Sequence, residues 1–265
     1  MKRAYIDIST GQLHYRYQGN PEKPLLLMLH QTPSSSVMFE ALSARLSTRF
    51  YCIAPDLPGF GQSDGLEDTF RGKPTVAAYA KAVSEALKAL GLKHGFIFGH
   101  HTGAAVAVQM VFDNPALANR LALSGPTLLS EELKRILPTK SEAFPVEESG
   151  SHMLAMWNRM RAKDASAPLD LSLREALLGL ALGEQYPDAY QAVIEHDFES
   201  QLAAINCPTL VFAGDQDPLF GQLDPAYHML KQGEIAVLKD TGSYSCERKS
   251  GEVAGLLDEF FGAAL

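Results

Sequence analysis

The sequence predicts an α/β fold, with a mostly parallel central sheet flanked by helices and interrupted once by a helical insertion. Three observations carry this. Short apolar runs alternate with segments of helical periodicity along most of the chain. One of those runs, LLLML at Leu25 to Leu29, is apolar throughout, as expected of a strand covered on both faces. The strand signal then stops after Gly125 and Pro126 and returns only at Thr209. Such alternation builds parallel sheets, because parallel neighbours need a crossover between them.

In chain order, AYIDIS and LHYRYQ alternate apolar and polar on either side of Thr10 and Gly11, which predicts an opening β-hairpin. After LLLML a helix is expected from about Val37 to Leu46, then a strand at Tyr51 to Ala54. From Val76 onward Tyr79, Ala80, Val83, Leu87 and Leu90 recur at helical spacing, and Gly91 supplies a stop. The strand GFIF, a turn, a helix to about Asn114 and the strand LALS at Leu121 to Ser124 follow. Residues 128–203 are rich in helix formers punctuated by Pro138, Pro145, Pro168 and Pro187, and read as a helical lid inserted into a core of residues 1–127 and 204–265. Within it Met153, Met156, Trp157 and Met160 are spaced like the inner face of a lid helix. The chain closes with the strand TLVFAG, a helix near Tyr227, the strand IAVLK and a helix whose Val253, Leu256, Leu257, Phe260 and Phe261 form an apolar stripe.

A chain of 265 residues, 46% hydrophobic, suits one large globular domain. Its net charge of -8 and its lack of a long basic run argue against nucleic acid or anionic lipid as partner. No segment approaches the roughly 18 consecutive apolar residues of a membrane span. The N-terminal MKRAYIDIST alternates instead of entering an apolar block, so it does not read as a secretory signal. A cytoplasmic protein with a small-molecule substrate is expected. Cys52, Cys207 and Cys246 are odd in number and far apart, which fits reduced thiols. No cofactor is implied, since GFGQSD lacks the lysine and hydroxyl residue of a phosphate loop. No metal is expected either, because tandem histidines on a turn point apart and adjacent spacing does not suit one ion.

The most informative stretch is FIFGHHTGAAVAVQM, Phe96 to Met110, which passes from an apolar strand through a glycine-bracketed turn into a small-residue helix. A strand that hands over so abruptly to a helix forces a positive φ on the turn residue and demands small neighbours, here Gly99, Gly103, Ala104 and Ala105. The turn residue is His101. Histidine is among the few non-glycine residues enriched at positive φ.

With this elbow, LLLMLHQTPSS, APDLPGFGQSD at Ala54 to Asp64, LVFAGDQDPLF at Leu210 to Phe220 and the terminal DTGSYSCERKSGEVAGLLDEFF, nearly the whole chain resembles the α/β-hydrolase fold superfamily. The likeness is to its lid-bearing group of epoxide hydrolases, esterases, C–C hydrolases and hydroxynitrile lyases. It implies that the family's serine falls on His101, its acid on Asp217 and its histidine on Ser243, with no histidine after His228. The usual relay cannot be assembled from these positions. His30 matches the family's His-Gly pair with Gln31 in place of the glycine, and the main-chain amides of Thr32 and Thr102 are implied to form an oxyanion hole. His100 is implied to be structural.

Exchanging a short and a long side chain across a fixed gap preserves the reach. The expectation is therefore that the His101 ring meets the Ser243 hydroxyl, with Asp217 behind Ser243 because the resemblance implies contact between the acid and histidine positions. His101 then acts as general base, activating water or removing a proton beside a carbonyl. Attack by His101 itself and attack by Ser243 stay open. Gln31, Trp157 and Tyr244 are the expected substrate contacts. Three function classes follow: a noncanonical hydrolase of a small organic carbonyl or ester-like compound; a cofactor-free lyase, isomerase or decarboxylase; and a ligand-binding member of the fold without turnover.

Overall fold

The computed structural model describes residues 1–66 and 73–264. Its eight strands are β1 (Lys2–Ile8), β2 (Gly11–Gln18), β3 (Leu25–Leu29), β4 (Tyr51–Pro55), β5 (Gly95–His100), β6 (Ala118–Ser124), β7 (Thr209–Gly214) and β8 (Gly233–Leu238). They form one sheet in the order β1-β2-β4-β3-β5-β6-β7-β8. The pairings of β2 with β1 and β4 are antiparallel and the others parallel. Around the sheet run α1 (Glu40–Leu46), α2 (Val76–Ala89), α3 (Thr102–Asp113), α9 (Leu223–Met229), α10 (Ser245–Arg248) and α11 (Ser250–Gly262). Between β6 and β7 lie α4 (Glu131–Lys140), α5 (Ser151–Lys163), α6 (Leu169–Ala181), α7 (Asp188–Glu195) and α8 (Phe198–Ala204). Among the described residues no helix is long and apolar enough to cross a membrane.

The continuous apolar strands resolve into two interleaved faces. Leu27, Leu29 and Ile97 join the core under α2 and α3, while Leu26, Met28, Phe96 and Phe98 join the core under α1 and α11. Alternate residues of a strand point to opposite faces, so a strand covered on both sides must be apolar at every position. Phe98 stacks on Phe212 with ring centroids 5.8 Å apart, tying β5 to β7 across β6.

The helix expected from Val37 to Leu46 is divided. A 3-10 turn spans Ser36–Phe39 and α1 begins at Glu40. Asp56 Oδ1 accepts the Ser36 amide at 2.7 Å, which holds the chain tight before the α-helix can open. The last strand begins two residues before IAVLK and lies at the sheet edge, where Ile235 and Val237 are exposed. In α5 the methionine stripe divides as well: Met156 and Met160 are buried, whereas Met153 is exposed.

β5 and α3 meet at a very close approach. A Cβ on Gly103 would lie 2.0 Å from the Leu29 carbonyl oxygen, and one on Gly99 would lie 2.3 Å from the Gly103 oxygen. Both neighbours are main chain and cannot swing aside. Gly103→Ala is therefore expected to cost about 1–3 kcal/mol of stability, the range of an overpacked core. A urea-unfolding midpoint indistinguishable from that of the parent would contradict this account of the elbow.

Candidate active site

His101 carries the strain of the elbow: φ is 50° and ψ is -112°. Such a conformation costs on the order of 1–3 kcal/mol and persists only where its surroundings enforce it. Here the His101 amide donates to Ser124 O at 2.9 Å, and Ala104 N donates to His101 O at 2.7 Å. The ring then lies over Gly125, where a Cβ would stand 2.4 Å from Cδ2 and 2.5 Å from Nε2. Only a glycine at the end of β6 leaves that space.

From this position His101 Nε2 lies 2.7 Å from Asp217 Oδ2. Asp217 sits in the loop after β7, where its Oδ1 accepts the Leu219 amide at 2.8 Å. Burial pushes its carboxyl up, but the facing His101 and His100 rings and the Leu219 amide outweigh burial and hold it below the usual carboxylate range. An ionised Asp217 fixes Nε2 as the hydrogen-bond donor. Nδ1, on the other side of the ring, then keeps its lone pair, and no partner engages it among the described residues.

The expected order of Asp217, Ser243 and His101 is therefore corrected. The imidazole spans the gap to Asp217 directly, because its reach from the strained elbow leaves no room for an intervening hydroxyl. Ser243 is held instead through its carbonyl oxygen, which accepts from His100 Nε2 at 2.8 Å and Gln31 Nε2 at 3.3 Å. Its side chain borders the cavity described below. The tandem histidines also do not diverge, since their ring centroids are 4.4 Å apart at a tilt of 42°. The positive φ at His101 turns the second ring back beside the first. His100 is fully buried, and burial together with the neighbouring His101 ring pushes its pKa down to about 3.

Thr32 and Thr102 face each other, with their hydroxyls hydrogen-bonded at 3.0 Å. Neither main-chain amide donates to an acceptor among the described residues. The Thr32 carbonyl accepts from Lys163 Nζ and from the Tyr190 hydroxyl, each at 3.3 Å.

Beside these groups opens a cavity of about 650 Å³. The core contributes His101, Thr32, Thr102 and Ser243 to its wall; α4 contributes Leu133 and Leu137; α5 contributes Arg159 and Lys163; Tyr186 and Tyr190 also line it. The three expected substrate contacts lie elsewhere. Gln31 is buried behind the loop it ties to Ser243. Trp157, on α5, is half-buried and packs against the larger apolar core. Tyr244 is wholly buried with Ala167 and Leu171, its hydroxyl 3.9 Å from Met160 Sδ. An aromatic or amide in a loop is a good substrate contact only if its side faces the void, and these three face the packed interior.

Sequence reasoning passed over Arg159, Lys163, Tyr186 and Tyr190. A signal existed for the first two, which stand four residues apart on one stripe of α5 beside the Met156 and Met160 stripe. The apolar stripe drew the attention, and the charged one meets the cavity.

A sequence profile described as the α/β hydrolase fold matches residues 24–173, more than half of the chain. The chain belongs to the α/β-hydrolase fold family. An uncharacterized protein of Mycobacterium tuberculosis is 34% identical over 126 residues, 46% of this chain and 36% of that protein. The 2-(acetamidomethylene)succinate hydrolase of Mesorhizobium japonicum is 34% identical over 112 residues, 42% of this chain and 38% of the other. The alignments thus span little more than a third of these curated relatives. The crystal structure of a hydrolase from Pseudomonas aeruginosa superposes with a TM-score of 0.80 at 23% identity, covering 98% of each chain, a likeness of fold. The α/β-hydrolase family fold is thereby established over the whole sheet.

The buried histidines give this family member a defined acid response. Unfolded, the His100 imidazole protonates near its ordinary 6.5; folded, it does so only at about 3. Between those values the unfolded chain binds more protons, so stability is full above pH 6.5 and is lost as pH falls toward 3. His30, lowered by burial, and Asp217, lowered by its partners, act in the same direction. The urea midpoint should therefore fall between pH 7 and pH 4, and His100→Gln should flatten that slope. A midpoint insensitive to pH over this window would refute the assignment of His100 as a buried neutral ring.

Proposed function

We propose that the protein is a hydrolase of a small organic carbonyl or ester-like compound, working by general-base activation of water instead of a covalent serine ester. The observation that carries this reading is the 2.7 Å contact between Asp217 Oδ2 and Nε2 of His101, whose ring borders the cavity. The hydrolase named among the relatives supports the class of reaction, and the helical insertion serves as the lid over the site.

Asp217 accepts the Nε2 proton and so fixes the tautomer in which Nδ1 is the free base. A water beside Nδ1 gives up a proton to it while its oxygen attacks the substrate carbonyl carbon. The carbonyl oxygen becomes an oxyanion, stabilised by the Thr32 and Thr102 amides, which have no other acceptor among the described residues. Collapse of the tetrahedral intermediate expels the leaving group, which takes the proton back from the His101 imidazolium. Asp217 stabilises that imidazolium throughout. Ser243, bordering the cavity with no hydrogen bond to His101 among the described residues, has no base beside its hydroxyl and is not assigned the attack.

Removing the base should cost about 10²- to 10⁴-fold in rate. His101→Ala is thus expected to lose hydrolysis of short 4-nitrophenyl esters by that factor while keeping its circular dichroism spectrum. Undiminished hydrolysis in the variant would end the proposal. In ¹⁸O-labelled water the acid product should carry one labelled oxygen per turnover. Turnover without label would instead identify a lyase or isomerase that uses the same base for proton transfer.

A further inference from the structure

The cavity wall is asymmetric in charge. Arg159, Lys163 and Lys140 border it, and no aspartate or glutamate side chain does so among the described residues. The three cations are differently placed. Arg159 is already committed, with Nη1 donating to Glu142 O at 2.6 Å and its guanidinium lying 3.9 Å from the Phe144 ring centroid. Lys140 is exposed at the end of α4.

Lys163 differs from Lys140 in being half-buried, and from Arg159 in lying against Thr32 O and Tyr190 OH. It is half-buried at the last residue of α5, and no carboxylate pairs with it among the described residues. Its ammonium donates only to neutral oxygens, Thr32 O at 3.3 Å and Tyr190 OH at 3.4 Å. These are long contacts for a charged donor, whose favoured distance is about 2.7–2.9 Å. An ammonium has three N–H groups, so one remains for a ligand. Partial burial without a counter-ion costs free energy that an incoming anion recovers.

We propose that Lys163 is the specificity-determining residue of this cavity and that the substrate carries a carboxylate that pairs with its ammonium. This rests on the reading of the cavity as a hydrolytic site. Because Lys163 is anchored on the carbonyl of Thr32, the residue whose amide faces the reacting oxygen, the two ends of the substrate lie close together. The substrate class is a small acid in which a few bonds separate the carboxylate from the carbonyl that reacts. The Tyr190 hydroxyl, which accepts from the same ammonium and donates its one hydrogen to Thr32 O, helps to hold the ammonium in place. The apolar residues of α4 enclose the rest of the molecule.

The test compares two 4-nitrophenyl esters of similar size, the anionic mono-ester of glutarate and the neutral ester of valerate. The parent should favour the anionic ester at least tenfold in kcat/KM, and the preference should shrink as salt is raised. Lys163→Met should abolish the preference, chiefly through a higher KM for the anionic ester, and Lys163→Arg should retain most of it. Equal use of both esters by the parent, or a preference that survives in Lys163→Met, overturns the proposal. A second measurement separates this from failure of the hydrolytic reading. If neither ester is hydrolysed, free glutarate should still raise the melting temperature of the parent and of His101→Ala but not of Lys163→Met. A glutarate shift equal in all three proteins, or absent from the parent, overturns the anion site on its own.

Discussion

The hydrogen bond between His101 and Asp217 is the contact on which the geometry of the candidate site rests, and it exists only because the main chain at the elbow is held under strain. The strained φ aims the ring across the end of the sheet, over a glycine that leaves room for it. Bare backbone on both sides of the turn keeps β5, α3 and β3 close enough that the ring cannot relax out of this position. The carboxylate opposite is held by a main-chain amide as well as by the ring, so neither partner is free to find another.

This arrangement reassigns the parts of a familiar site without moving the scaffold. With an imidazole at the elbow the acid is reached in one step, and the position that a third side chain would fill is left to Ser243. That residue is useful through its carbonyl, which collects the buried donors of His100 and Gln31 and so keeps two polar side chains satisfied in the interior. His100 then supports the loop as a neutral ring, beside the imidazole that meets Asp217. Two adjacent histidines thus differ in role through burial: one is sealed from water, and the other borders a cavity.

The insertion supplies what the core lacks. The core brings His101, its hydrogen-bonded Asp217 and two main-chain amides with no acceptor among the described residues. Size, polarity and charge come from α4, α5 and the two tyrosines. In particular, α5 turns its methionines inward to pack and its basic stripe toward the void, so that one helix both anchors the insertion and sets the electrostatic character of the cavity. An ammonium in such a wall is costly when empty and favourable when paired, which is how a largely apolar cavity can select by charge.

The sequence by itself determined the sheet, the order of its strands and helices, the inserted helices and the glycines of the elbow. Each of these is written in local periodicity or in a backbone requirement that few residues meet, as with LLLML or with Gly99 and Gly103 about His101. It also marked His101 and Asp217, through motifs that stay close to the ends of strands. Only the tertiary structure decided that these two touch directly, that Ser243 contributes its carbonyl, that Gln31, Trp157 and Tyr244 face the interior, and that Lys163 and Tyr190 meet at Thr32. Those are relations between segments well separated along the chain, set by the angles at which helices cross and by which side of a loop faces a void. Periodicity along a chain shows which face of a helix is apolar. What stands opposite that face is settled only when the elements pack.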